Sequence, residues 1–285
     1  MLQVITVLEI AGVYALLALG LVMIYRTSRV LNLAQGELAI ICAYVAAVTT
    51  GSGFPWFLAI PATLATGAVA GAVIYISTMR PILGESPVVG IMTTVGVAIL
   101  IRGLMVIFFG GDTTMLDSPF GDTVVLSGIE IGSEHLFVLG GSWGCVLLII
   151  LFNFYSSTGL LMRAVSDDVT LAAQRGIDVD RIVGIAWVLA LVVGAMAGYL
   201  HGQRALISTA ATLIGVNALI AAFIGGMDSF RGAIVGALTV AVVEFVTIQL
   251  VESHWAEIAL VVLMLVVLTF RPWGLFGTVE ELERV

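Results

Sequence analysis

Residues 163–181 read RAVSDDVTLAAQRGIDVDR, and this stretch decides how the rest of the chain is organised. Seven of its nineteen residues are charged, whereas only 11% of the whole chain is charged. Apolar side chains nevertheless recur within it at helical spacing, at Val165, Val169, Leu171 and Ala172. The stretch therefore predicts a short amphipathic helix at a membrane surface between two spans. A solvated hairpin is the alternative.

The polar residues of this stretch suggest where such a helix begins and ends. Ser166 and Asp167 are candidate N-caps, because their side-chain oxygens can accept hydrogen bonds from the free amides of a first turn. Gly176 is a plausible stop, since glycine readily ends a helix. Asp178 or Asp180 would then cap the next helix.

The chain on either side of this stretch is mostly hydrocarbon. Of its 285 residues 60% are hydrophobic, and the mean hydropathy is +1.16. This composition predicts an all-α polytopic membrane protein that forms a single membrane domain over residues 1–285. Because a span needs roughly 20 apolar residues, we expect eight or nine transmembrane helices. The apolar runs lie at about 2–25, 30–50, 54–78, 88–109, 136–155, 182–200, 210–227, 232–251 and 256–270.

The first and the seventh apolar runs differ from the other seven. The first has no positively charged start and no cleavage-site pattern, so we expect a retained helix rather than a signal peptide. The run at 210–227 is interrupted, and its pattern leaves open whether it crosses the membrane or re-enters.

The distribution of arginine predicts the orientation, because positive residues concentrate in cytoplasmic loops. Arginines follow the first and third runs and occur throughout 163–181. The loop at 110–135 has no arginine and carries Asp112, Asp117, Asp122, Glu130 and Glu134. We therefore expect the N-terminus outside and the C-terminus, with Arg271 and Arg284, in the cytoplasm. Arg204 would lie outside and is the exception to this distribution.

Several function classes are disfavoured by what the sequence lacks. Without a single lysine, the chain can contain neither a P-loop nor a Schiff-base lysine. The formal charge of −8 argues against a nucleic-acid partner. Cys42 and Cys145 lie in apolar runs and suggest neither a disulfide nor a metal site. No HExxH, GxSxG or paired-aspartate signature occurs in the runs, so we expect no catalytic residues and no enzyme.

Two polar, glycine-containing breaks interrupt the apolar pattern, and each is followed by an apolar helix. The first is RTSRVLNLAQGE at 26–37, and the second is IGGMDSFRGAIVG at 224–236. Paired breaks in the two halves of a membrane protein are typical of a transporter with an internal repeat and broken or re-entrant helices. Two ordinary turns at the membrane surface are the alternative.

The polar residues of these breaks are candidates for lining a translocation pathway. Asn32 and Gln35 are the better ones, because neutral polar groups permit the passage of a zwitterion, and Asn217 has similar standing. Glu37 follows a glycine at a helix start, where a structural cap is the stronger interpretation. The complete set of pathway candidates is Asn32, Gln35, Gly36, Glu37, Asn217, Gly225, Gly226, Asp228 and Ser229.

Arg102 and Glu244 fall inside apolar runs, where an unpaired charge is unfavourable. Both lie outward of the expected mid-membrane, so we predict an ion pair between them. Arg102 could instead extend to the outer interface.

Three stretches carry a family resemblance. RTSRVLNLAQGELAIICAYV (26–45), RAVSDDVTLAAQRGI (163–177) and NALIAAFIGGMDSFRGAIVGAL (217–238) resemble, in this order, motifs of the permease subunits of branched-chain amino acid ABC importers. The resemblance covers nearly the whole chain. In two details the chain differs: Gln35 stands where histidine is common in the family, and Asp228 stands where glycine often occurs.

The resemblance implies a coupling helix at 166–177, within a cytoplasmic coupling segment at 163–181, that sits in a groove of a separate ATP-binding subunit. The residues expected to couple to that subunit are Arg163, Asp167, Asp168, Ala172, Ala173, Arg175 and Gly176. The acidic residues at the start of the helix favour its dipole, and Ala172 and Ala173 leave room for close docking.

The resemblance further implies a permease for branched-chain amino acids or related small polar solutes in the cytoplasmic (inner) membrane. The expected partners are a second, homologous permease, two cytoplasmic ATPases that bind ATP and Mg, and an extracytoplasmic solute-binding protein. The chain itself would hold no cofactor. The rival hypothesis is an ion- or proton-coupled secondary transporter that uses Glu37, Glu244 and Arg102.

Overall fold

A computed structural model of the chain describes residues 2–110, 113–116, 123–126 and 129–278. Each of the nine apolar runs contains a helix. Asp112, Asp117, Asp122 and Arg284, which entered the orientation argument, lie outside the described residues. The helices are α1 (Leu2–Ser28), α2 (Gln35–Gly51), α3 (Trp56–Ile74), α4 (Pro87–Phe109), α5 (Ser133–Tyr155), α6 (Ser157–Asp167), α7 (Val169–Gln174), α8 (Val179–Gly202), α9 (Leu213–Gly225), α10 (Phe230–Leu250) and α11 (His254–Phe270).

Shorter elements connect these helices. A π-helical turn, Tyr75–Met79, and a 3-10 turn, Arg80–Ile82, extend α3, and a 3-10 turn at Thr209–Thr212 precedes α9. Strands β1 (Thr123–Leu126) and β2 (Ile129–Gly132) form an antiparallel hairpin before α5.

Six helices among the described residues are long and apolar enough to cross a membrane. Three further apolar helices, Gln35–Gly51, Thr209–Gly225 and His254–Phe270, are shorter. At 1.5 Å per residue, the 13 residues of α9 extend only about 20 Å, less than the roughly 30 Å hydrocarbon core. The prediction of an all-α polytopic membrane protein is thus confirmed at the level of fold class.

Helix α1 forms the centre of the bundle and packs against α5, α8, α9 and α10. It is buried almost continuously from Glu9 to Ile24. Helices α2 and α3 also pack against α8, while α4 packs mainly against α2, and α11 packs against α9 and α10. Most of α4 is therefore exposed, with only four of its residues buried.

Most arginines lie at one end of this bundle, which we call the arginine-rich end. It brings the end of α1 to α6, where Arg26 Nε donates a hydrogen bond of 3.2 Å to Ser166 Oγ. It also brings the end of α3 to the start of α8, where Arg80 pairs with Asp180 at 3.0 Å. The described arginines of this end are Arg26, Arg29, Arg80, Arg163, Arg175, Arg181, Arg231 and Arg271.

Candidate functional site

The first break is a re-entrant connection that returns into the bundle. After α1 ends, Gln35 lies buried between the middles of two long helices, and its side-chain Nε2 donates a hydrogen bond of 3.2 Å to Ala190 O in α8. A Cβ atom added at Gly20 of α1 or Gly194 of α8 would lie 2.7 Å from the same nitrogen. Because each glycine lies eight residues before the end of its helix, more than two turns from either end, α2 begins inside the bundle rather than at its surface.

Asn32 holds the entry to α2 in this position. Its Nδ2 donates to Gln35 Oε1 at 2.8 Å, and its Oδ1 accepts from the amide of Ala34 at 3.2 Å. Both amide side chains are buried, at 2% and 1% exposure. The two strongest pathway candidates from the sequence therefore lie together, and here they hydrogen-bond to each other and to the backbone.

The start of α2 meets the start of α9 at a contact between two glycines. A Cβ atom at Gly36 would lie 2.9 Å from Gly215 Cα, and one at Gly215 would lie 2.5 Å from Gly36 Cα. No side chain fits between the two backbones at this distance. The N-terminal ends of two short helices, each with free amides and a partial positive charge, thus meet inside the bundle.

Glu37 provides the negative charge at this meeting point, and its partner is Arg102. An Arg102 Nη lies 2.7 Å from Glu37 Oε1 and donates a second hydrogen bond, of 2.9 Å, to Thr212 Oγ1. The Glu37 side chain is 9% exposed, whereas that of Arg102 is 54% exposed. The carboxylate therefore belongs to the first turn of α2 and pairs with a guanidinium from α4.

The predicted ion pair between Arg102 and Glu244 is wrong. Glu244 Oε2 instead accepts a hydrogen bond of 2.7 Å from the hydroxyl of Tyr14, which in turn accepts one of 2.9 Å from Asn217 Nδ2. The prediction relied on the position of each residue along its own helix, which does not indicate which helices are neighbours. Since α4 packs against α2 and α10 packs against α1, α9 and α11, the two charges belong to different parts of the bundle.

The second break is a tight turn between α9 and α10 at the arginine-rich end. Ser229 caps α10 by accepting a hydrogen bond of 3.0 Å from the amide of Gly232. The segment after α11 covers the turn, with the Leu275 and Phe276 amides donating to Ile224 O and Gly225 O at 2.8 and 2.9 Å. The structure does not bring this turn to the meeting point of α2 and α9.

The remaining candidates of the second break are held by the same covering segment. Gly226 has a φ of +112° and lies against the backbone of Gly274, which leaves no room for a side chain at either position. Asp228 accepts hydrogen bonds from the Thr278 amide, at 2.9 Å, and from the Thr278 hydroxyl. Gly225, Gly226, Asp228 and Ser229 thus tie α9, α10 and the end of the described chain together.

The polar stretch at 163–181 contains the end of α6, all of α7 and the start of α8, rather than a single helix. α6 continues to Asp167, and the six-residue α7 follows directly. The predicted N-caps Ser166 and Asp167 are wrong, because both lie in the last turn of α6. The N-cap of α7 is Asp168, whose Oδ1 accepts a hydrogen bond of 2.8 Å from the Leu171 amide.

The end of α7 agrees better with the sequence-based prediction. Gly176 adopts a φ of +82°, a conformation that glycine accepts without strain. Asp178 then caps α8 by accepting a hydrogen bond of 3.1 Å from the Arg181 amide. The capping prediction for Asp178 is confirmed, while Asp180 instead binds Arg80 and the Tyr75 hydroxyl.

Helix α7 offers a small exposed surface beyond the bundle. Ala172 is buried, whereas Asp168, Ala173 and Arg175 are exposed. Arg163 does not belong to this surface, because its guanidinium lies over the ring of Phe154, 5.5 Å from the ring centroid. Of the residues proposed for coupling, Ala173 and Gly176 are the two small ones that are exposed, and Ala173 is the one within α7.

Three contributors were not singled out from the sequence, namely Tyr14, Thr212 and Gly215. Single polar or small residues within apolar runs are common in membrane helices, so nothing in the pattern distinguished them. Their roles arise only when α9 is placed against α1 and α2.

Comparison with known proteins places this architecture among transport components. A family model described as branched-chain amino acid transport system, permease component, matches residues 3–268. The high-affinity branched-chain amino acid transport system permease protein LivH of Salmonella typhimurium is 26% identical, with 97% of this chain and 94% of that protein aligned. The protein BraD of Pseudomonas aeruginosa, with the same description, is 24% identical over 99% of this chain and 97% of its own length.

A solved structure shares the fold. PsaBC from Streptococcus pneumoniae, determined in complex with Fab, superimposes with a TM-score of 0.53 at 15% sequence identity, covering 92% of this chain and 89% of that chain. At this identity the likeness concerns the arrangement of the helices alone.

Proposed function

This chain belongs to the family of permease components of branched-chain amino acid transport systems, and from this premise we propose that it forms half of an ATP-driven pathway for such amino acids. Substrates would cross the inner membrane along a pathway that the chain forms together with a second, homologous permease. Hydrolysis of ATP, with Mg²⁺, would take place in two separate cytoplasmic subunits. A solute-binding protein outside would deliver the amino acid.

The observation that carries the proposal is α7. It is a capped helix of six residues at the arginine-rich end, exposed at Ala173 and Arg175, and joined by short links to α6 and to α8. Helix α8 contacts α1, α2 and α3, so a displacement of α7 by a partner would be transmitted into the centre of the bundle. A chain without a P-loop requires such an input from outside.

The orientation and the finer architecture belong to the same proposal. The arginine-rich end would be cytoplasmic, because arginines concentrate there, which places the N-terminus outside. We also retain eight or nine crossing or re-entrant helices arranged as an internal repeat. The meeting of α2 and α9, two short helices from different halves of the chain, supports that arrangement.

The test is uptake into proteoliposomes that contain the chain with its partner permease and ATPases. We expect uptake of leucine, isoleucine or valine that requires ATP inside, is supported by the binding protein outside and is inhibited by vanadate. Uptake that follows an imposed proton or sodium gradient without ATP would instead favour the ion-coupled transporter. The control is the same complex with an ATPase subunit that binds but does not hydrolyse ATP.

A further inference from the structure

A cavity of about 290 Å³ opens at the end of the bundle opposite the arginine-rich end. It lies between α1, the segment after α8, and the helices α9, α10 and α11. Its wall includes one arginine, Arg204, and two carboxylates, Glu244 and Glu257. Charged side chains around an internal space of this size are unusual within a membrane bundle, where they mark substrate pathways or ion sites.

Arg204 is held at this wall from behind. Its Nε lies 3.8 Å from the carboxylate of Glu9, which is fully buried and also lies 3.0 Å from His135 Nδ1. The Arg204 side chain is 22% exposed, and Glu9 is its one ionic partner within 4 Å among the described residues. The rest of the guanidinium fork thus remains available to a carboxylate, the group whose geometry it matches.

Glu244 is fixed on the same cavity by a different set of contacts. The Tyr14 hydroxyl donates to one carboxylate oxygen, and Asn217 Nδ2 orients that hydroxyl from α9. All three side chains line the cavity. In the part of the chain that the structure describes, Glu244 forms no ion pair, so its negative charge has no cationic partner within 4 Å.

Arg204 and Glu244 therefore face one space without forming an ion pair with each other. Arg204 has Glu9 behind it, whereas the carboxylate of Glu244 has no cationic partner among the described residues. A carboxylate left in this way is unfavourable in a membrane interior, unless water or the ammonium group of a ligand lies beside it. The volume is close to the lower end of the roughly 300–1,000 Å³ of small-molecule sites, which suits a single small solute. Ile10, Val13 and Ile214 supply an apolar wall beside the charges.

We propose that this cavity binds one zwitterionic aliphatic amino acid within the chain itself. Arg204 would receive the carboxylate, Glu244 the ammonium group, and the apolar wall the aliphatic side chain. The inference rests on the proposed function and makes it more specific, because it locates a solute site in the permease in addition to that of the binding protein.

The test is equilibrium binding of radiolabelled leucine to the assembled importer in nanodiscs, without the solute-binding protein. Leucinamide, which lacks the carboxylate, and N-acetylleucine, which lacks the ammonium group, serve as competitors. We expect each to compete at least about tenfold more weakly than leucine, as when a buried charge loses its partner.

Two substitutions should each remove one kind of discrimination. Arg204→Gln should abolish the preference for leucine over leucinamide, whereas Arg204→Lys should retain part of it. Glu244→Gln should abolish the preference for leucine over N-acetylleucine. The matched control is Glu252→Gln, since Glu252 is exposed at the same end and does not line the cavity.

A third substitution leaves every charge in place, in case the charge variants fail to assemble. Ala256→Leu narrows the cavity from α11, where Ala256 is buried at its wall, and should weaken leucine binding more than alanine binding. If leucine does not bind to the wild-type complex at millimolar concentration, the cavity proposal is overturned. It is equally overturned if binding and discrimination are unchanged in the charge variants and in Ala256→Leu.

These outcomes are separate from the fate of the proposed function. A wild-type complex that transports leucine with ATP while the cavity variants bind it normally would leave the importer function standing. A complex that binds leucine in the cavity but never transports it with ATP would contradict the importer function and not the site.

Discussion

The guanidinium of Arg102 on α4 lies 2.7 Å from the carboxylate of Glu37 in the first turn of α2. This pair joins the most exposed helix of the first half of the chain to a helix that begins inside the bundle. Thr212, just before α9, accepts a second hydrogen bond from the same guanidinium group, at 2.9 Å. A single arginine therefore links α4 to both helices whose starts meet at Gly36 and Gly215.

We expect this pair to stabilise the fold cooperatively. Arg102→Gln leaves the nearly buried Glu37 carboxylate without its cation and should destabilise the protein by roughly 1–2 kcal/mol, discounted for the exposed arginine. Glu37→Gln should have a similar effect. The double substitution should be less destabilising than the sum. Thermal unfolding of the purified complex measures all three, and strictly additive effects would contradict the pairing.

The contact between the starts of α2 and α9 should not tolerate a side chain. Gly36→Ala places a methyl group 2.9 Å from Gly215 Cα, so the helices must separate, with an expected loss of about 1–3 kcal/mol. Gly96→Ala in α4 is the control, because nothing lies within 4 Å of its added Cβ. Thermal stability in detergent should fall for the first variant and be unchanged or higher for the second.

The cap of α7 should depend on Asp168 and not on its neighbour. Asp168→Ala removes the hydrogen bond to the Leu171 amide and should cost about 0.5–2 kcal/mol of local helix stability. Hydrogen exchange at 169–176 should accelerate accordingly, while Asp168→Asn should retain most of the protection. Asp167→Ala serves as the control, and an equal effect there would contradict the assignment of the cap.

The exposed face of α7 should matter for coupling to ATP hydrolysis. Ala173→Trp places a large side chain where a partner subunit would dock, and we expect solute-stimulated ATPase activity of the complex to fall severalfold. Membrane insertion and folding should be unaffected, because Ala173 is exposed. Ala173→Ser is the matched small substitution. Unchanged stimulation in the tryptophan variant would exclude docking at this face.

The arginine-rich end should face the cytoplasm. In a variant with Cys42 and Cys145 replaced by alanine, Glu252→Cys and Glu85→Cys introduce thiols at exposed positions at opposite ends of the bundle. An impermeant thiol reagent added to intact cells should label residue 252, whereas residue 85 should react only after the membrane is permeabilised. The reverse labelling would invert the orientation.

The sequence predicted the structure of some segments better than that of others. All nine apolar runs correspond to helices, because long apolar stretches in a membrane have few alternatives to helix formation. Gly176 and Asp178 were recognisable since turns and caps depend on local chemistry. The division of 157–174 into two consecutive helices was not recognisable. The amphipathic pattern continues across Asp168, so spacing alone does not show that one helix ends and another begins there.

The partners of the charged residues show most clearly what the sequence alone does not predict. Arg102 was expected to pair with Glu244 on membrane depth alone, and it pairs with Glu37. Glu37 was interpreted mainly as a cap at the start of α2; it lies in the first turn of that helix, and its carboxylate pairs with the guanidinium of another helix. The turn at Ile224–Gly236 resembled the first break in composition, yet it lies at the arginine-rich end under the segment that follows α11.

The sequence by itself determined the fold class, the positions of the apolar helices, the lack of a P-loop and the polar segment at 163–181. Each of these depends on composition or on spacing within one segment. The tertiary structure alone decided that α2 starts inside the bundle, that Arg102 reaches Glu37, and that Arg204 and Glu244 face one cavity. Such relations join residues far apart in the chain, and helix packing, which spacing along one segment does not encode, brings them together.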